Sequence, residues 1–140
     1  QTYVVDKGLA AGAGDQIGNV LYNRGFYAAM LAVEAAKKAQ EIHGVADINP
    51  AMMRDGMEAL EITQEIMTEL GMPSFGPSFS VSCENHGGPG LVGMTQWDAE
   101  TQTWSMISGF NPTDSEVIGA LVAEDSAAYA AEANIEERCN

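Results

Sequence analysis

The stretch "IGNVLYNRGFYAAMLAVEAAKKAQEI", residues 17–42, decides how the rest of the chain is read. Val20, Leu21, Phe26, Tyr27, Met30, Leu31, Val33, Ala35, Ala36 and Ala39 recur at helical spacing and leave only a narrow polar stripe. Glu34, Lys37, Lys38 and Glu41 fall on that stripe, and Glu34 and Lys38 stand four apart as a favourable ion pair. A helix with so little polar surface has to be covered on most sides, so the spacing predicts a nearly buried helix with one edge in water. Tyr22, Asn23 and Arg24 interrupt the apolar pattern near its start. An arginine there has two readings: a planar donor fork for a carboxylate ligand, or a side chain that reaches the surface or pairs with an acid.

Upstream, residues 1–15 begin apolar and dissolve into glycine and alanine, which predicts a helix turn or strand followed by a loop. Downstream, Asn49 followed by Pro50 is a cap with proline at the first helical position, opening a short amphipathic helix to about Leu60. A second short helix is predicted from about Thr63 to Leu70, stopped by Gly71. "GMPSFGPSFS" ends the helical layer. "FSVSC", "LVGMTQWD" and "TWSMISGF" are rich in β-branched and aromatic residues, and the last two, joined by the turn-like "DAETQ", read as a β-hairpin. Trp97 and Trp104 flank that turn and read as cross-strand packing in preference to a ligand-stacking platform. From Asn111 onward, Thr113 and Glu116 form a capping-box pattern before a helix to about Ala133, with Ile118, Leu121, Val122 and Tyr129 on its apolar face.

Composition narrows the function classes. The chain has 140 residues, 46% of them apolar, room for one domain or part of one. Twenty acids against six bases give a net charge of -14, and Arg138 is the only Lys or Arg beyond Arg54. Such a surface repels phosphate backbones and anionic headgroups, which argues against nucleic-acid or membrane-surface binding. The acids lack the alternating pattern of a calcium loop and read as a solvated face. Gln1 stands where an initiator Met would, so a processed chain or a piece of a longer one is expected.

Chemistry concentrates in "SVSCENHGGPG", residues 80–90, with a thiol, a carboxylate and an imidazole close together. A cysteine nucleophile at Cys83 would need a base, for which His86 or His43 is available, and a zinc site would want three or four ligands where the chain has two Cys and two His. The simpler reading is a staple. Cys83 and Cys139, the only cysteines, would close a loop of roughly 56 residues, for which chain entropy allows about 4 kcal/mol. Glu84 and His86 then become loop residues, bonded to each other or to backbone, and "GGPG" turns the chain into the next strand. Neither "GGPG" nor "GAGDQIG" (12–18) sits between a strand and a helix as a phosphate loop does, so both read as loops.

Three segments in order, "VLYNRGFYAAMLAVEAAKKAQ", "VSCENHGGPGLVGMTQWD" and "AAYAAEANIEERC", resemble the C-terminal part of the type I periplasmic solute-binding proteins of ABC transporters, the branched-chain amino-acid (Leu/Ile/Val) class and its relatives for amides and aromatic acids. The first resembles the family's long helix with its Tyr-x-Arg-Gly phrase, the second its Cys-Glu-Asp-His-Glu-Gly loop and following strand, the third its closing helix and terminal cysteine. Asn85 stands where the family more often has Asp.

The resemblance implies an α/β chain forming the C-terminal part of a two-lobed fold. Residues 1–110 would be part of one lobe plus a hinge hairpin, and 111–140 a closing helix and a tail pinned by Cys83 and Cys139. It implies a binding component without bond chemistry, cofactor or metal, located in the periplasm. Its partners would be the remainder of its own chain, a small-molecule ligand and a membrane permease, with no nucleic acid. Tyr22 and Arg24 match the family phrase and would approach the ligand cleft. An extracytoplasmic sensing domain of the same fold is the alternative, and a small thiol or metal enzyme at Cys83, Glu84 and His86 is a third reading.

Overall fold

A computed structural model describes residues 4–10, 12, 14–73, 75–136, 138 and 139. A turn at 4–8 and a single 3-10 turn at Gly14–Gln16 lead to helix α1, Val20–His43. The rest of the opening segment's expected helix turn or strand lies outside the described residues. Asn19 starts α1 because its extended backbone frees the side-chain oxygen to accept from the Tyr22 N–H at 2.9 Å. The helix stops where Gly44 takes φ of 65° and returns its N–H to the Gln40 carbonyl.

Helix α2, Pro50–Glu58, is opened by Asn49, whose Oδ1 accepts from Ala51 N and Met52 N at 2.9 and 3.0 Å. Proline at the first position needs no donor there, so cap and ring agree. Strand β1, Glu61–Ile62, pairs antiparallel with β2, Phe79–Ser80, and the Val81 N–H reaches the Leu60 carbonyl at 2.9 Å. Between them lies α3, Gln64–Glu69, capped by Thr63 and followed by Gly71 at φ of 73°. The helical predictions for this half are met; β1 was not foreseen, because two residues carry no period to read.

These elements make one core. Ala35 from α1, Leu60 and Ile62 beside and on β1, and Met67 from α3 are buried, with Tyr27, Leu31, Met53, Phe79 and Val81 packed around them. Helices α1 and α2 approach closely where buried Gly56 lies against Ala35 and Ala39. The expectation of a nearly buried α1 is corrected: Met30, Ala35 and Ala39 are buried, but Val20 and Leu21 are each 71% exposed and Val33 is exposed too. The described residues cover one face of the helix and no more. The stripe also pairs differently from expectation, with Lys37 on Glu34 at 2.9 Å and Lys38 on Glu41 at 3.1 Å.

The second half pairs short strands and ends in a long helix. β3, Leu91–Val92, pairs with β6, Asn111–Pro112. Within that frame β4, Thr95–Asp98, and β5, Thr103–Met106, form the predicted hairpin, with Trp97 opposite Trp104 and ring centres 5.4 Å apart. Asp98 Oδ1 accepts from the Glu100 and Thr101 N–H groups and shapes the turn. Those two bonds are the main reason its carboxyl titrates below the usual carboxylate range.

Helix α4, Ser115–Ala133, is capped by Asp114, which accepts from Val117 N at 3.2 Å. This corrects the capping box assigned to Thr113. That hydroxyl donates instead to the Gly90 carbonyl at 3.0 Å, next to the Thr113 N–H on the same oxygen at 2.8 Å. The face foreseen for α4 is helical and apolar, yet Ile118, Leu121, Val122 and Tyr129 are all more than half exposed. Among the described residues nothing covers it.

Candidate functional site

Cys83 and Cys139 are joined in a disulfide, with Cα atoms 5.5 Å apart across 56 positions of sequence. Ser82 and Asn85 set the loop that presents Cys83: the Asn85 N–H meets both the carbonyl and the hydroxyl of Ser82, and Asn85 Oδ1 accepts from Gly87 N at 3.1 Å. His86 follows that loop and meets Glu58 of α2. The expected bond between His86 and Glu84 or backbone is replaced by a contact of 3.4 Å between His86 Nε2 and Glu58 Oε1.

Glu58, at the end of α2, is the hub of a charged cluster. Its side chain is only 16% exposed. Oε1 receives His86 from the 83–90 loop and the Arg138 guanidinium from the tail, while Oε2 lies 3.9 Å from Arg54 Nε. Arg54 is committed elsewhere, giving two hydrogen bonds to Asp55 Oδ1 at 2.8 and 3.2 Å. Asp55 Oδ2 meets His43 Nε2, at the end of α1, at 3.1 Å. The Arg54 hydrogen bond is the largest influence on the Asp55 carboxyl; burial opposes it, and the Arg54 charge and the His43 contact add to it, so that the carboxyl is held below its ordinary range. Two carboxylates thus gather two guanidiniums and two imidazoles at the joint of α1, α2, the loop and the tail.

Four members of the cluster, Arg54, Glu58, His86 and Arg138, rim a cleft of about 540 Å³ whose apolar wall includes Leu31 and Ala35 of α1, Leu60, Phe79 and Val81. Chemically the arrangement anchors chain segments: Arg138 and Cys139 are consecutive, so one end of the tail is fixed by an ion pair and a covalent bond side by side. With both sulfurs in the bond, Cys83 presents no thiolate beside His86. Among the described residues no group of three or more His, Cys, Asp or Glu side chains is placed to hold a metal ion. Tyr22 and Arg24 stand on the first turns of α1, Tyr22 half-buried and Arg24 exposed. Neither lines this cleft. The sequence reading missed Glu58 and Arg54; the one available signal was Arg138, a solitary base in a long acidic stretch, which has to find an acid somewhere.

No helix among the described residues is long and apolar enough to cross a membrane. No family model matches the chain. No curated protein matches it either. A solved structure does: a crystal structure described as an ABC transporter permease from the Pseudomonas fluorescens group shares 31% identity, with a TM-score of 0.84. The match covers 99% of this chain and 34% of that one, so the chain spans about a third of the length of the structure it resembles.

Proposed function

We propose that this chain is the C-terminal part of the substrate-binding component of an ABC importer, for a ligand of the branched-chain amino-acid, amide or aromatic-acid type. The observation that carries the reading is the similarity over 99% of the chain to a structure described as an ABC transporter permease, which ties the chain to that class of transporter. Three further features support it. The segments that resemble the binding-protein family fall on α1, on the Cys83 loop with the hairpin, and on α4 with its tail, in the family's order. The disulfide suits an oxidising compartment such as the periplasm. Exposed apolar side chains on α1, α4 and the hairpin fit a segment completed by the remainder of a longer chain.

In this reading the protein makes and breaks no bonds and uses no cofactor. A small ligand sits between two lobes, and because it touches both, binding shifts the population toward the closed form that the membrane permease recognises. Tyr22 and Arg24 open α1 on the side of the ligand, and the hairpin strands belong to the hinge. The test is a thermal-shift panel of branched-chain amino acids, short amides and aromatic carboxylates on the intact protein that carries this segment. At a ligand concentration of about 100 Kd the expected stabilisation is about 2.7 kcal/mol, a rise in Tm of several degrees, with X-ray scattering showing a smaller radius of gyration. A panel that leaves Tm unchanged throughout, or a compound that is chemically converted, sinks the proposal.

A further inference from the structure

We propose that Glu58 is a docking post that brings the C-terminal tail to Cys83, so that formation of the Cys83–Cys139 bond, and its resistance to reduction, depend on the ion pair between Glu58 and Arg138. The disulfide alone has to find its partner across 56 positions of chain. A flexible tail does so at an effective concentration set by chain length, and a contact that holds the neighbouring residue raises that concentration directly. Arg138 is that neighbour. It is also the only Lys or Arg beyond Arg54, and it lands on the one carboxylate that already holds His86, three residues past Cys83.

The geometry makes one carboxylate oxygen the meeting point of both sides of the disulfide. His86, from the loop that carries Cys83, and Arg138, adjoining Cys139, both reach Glu58 Oε1. The remaining group facing Glu58, Arg54 from α2, approaches the other oxygen at 3.9 Å and gives its hydrogen bonds to Asp55. The post is therefore specific to loop and tail. Glu58 is 16% exposed and Arg138 53%, so the contact is half-open to solvent and salt weakens it.

With glutathione disulfide as oxidant the chemistry closes without other reagents. The Cys83 thiolate attacks glutathione disulfide, forming a mixed disulfide and expelling one glutathione thiolate. The Cys139 thiolate then attacks the Cys83 sulfur, forming the protein disulfide and expelling the second; the two protons lost by the cysteines end on the two glutathiones. The second step is the one the Glu58–Arg138 contact accelerates, because it brings Cys139 to the mixed disulfide.

The experiment equilibrates the intact protein carrying this segment with reduced and oxidised glutathione, quenches by alkylation, and reads the oxidised fraction by mass. Glu58→Gln and Arg138→Gln are each expected to lower the effective concentration of the cysteine pair about three- to tenfold, and the double variant no further than either. Arg138→Lys is expected to restore most of the loss, and in 1 M salt the difference between wild type and Glu58→Gln is expected to shrink. Melting of the oxidised variants checks that each folds. Values within about twofold of wild type for both single variants overturn the proposal. A drop in Glu58→Gln matched by His86→Gln but not by Arg138→Gln also overturns it, because the effect then lies in the loop and not in the tail.

Discussion

At Gly56 an added Cβ would stand 2.2 Å from the Ala35 carbonyl oxygen and 2.8 Å from both N and Cβ of Ala39. Backbone atoms of α1 cannot swing aside as a side-chain tip can, so the helices would have to separate. Gly56→Ala gains about 1 kcal/mol of helix propensity and meets an overpacking cost that exceeds it. A net loss of about 2 kcal/mol in urea unfolding of the intact protein is expected; a gain would mean that α1 and α2 are not locked at this point. The tight crossing was illegible in the sequence, where nothing sets Gly56 apart within the amphipathic helix. Asn49, Pro50, Thr63 and Gly71 were legible, because a cap or a stop is settled within four residues of itself. Glu58 was not, since its tail partner is 80 positions away and nothing local marks the pair.

Helices α1 and α2 are tied by more than packing, and the tie responds to acid. Asp55 of α2 holds His43 at the end of α1 while its carboxyl is kept below the ordinary range, chiefly by Arg54. A depressed carboxyl binds its proton more readily in the unfolded chain. Its contribution to stability is therefore complete above the unfolded value of about 3.9 and is lost as pH falls through the lower folded value. Unfolding midpoints measured from neutrality down through this window should decline more steeply in wild type than in Asp55→Asn. Equal slopes would remove Asp55 from the joint. The pattern of α1 was readable as a helix at every turn, whereas its burial was not: periodicity reports which face is apolar and not whether its partner lies in the same 140 residues. In α4 the cap shifted by one residue because Thr113 is taken by Gly90, a strand-to-loop contact that no helix signature contains.

Across the whole molecule the hairpin, the four predicted helices and the cysteine staple were all readable before the structure, while the assembly of loop, tail and α2 around one carboxylate emerged only in three dimensions. The two ends of the segment that contains the hairpin and α4 are joined to each other, Cys83 at its start to Cys139 at its finish, with the pairing of β3 and β6 between. The covalent ring so formed makes this part of the chain tolerant of nicking. A protease that cuts once anywhere between the two cysteines, including within the exposed α4, leaves two pieces that travel together on a non-reducing gel and separate when reductant is added. Separation without reductant would show that the ring is open.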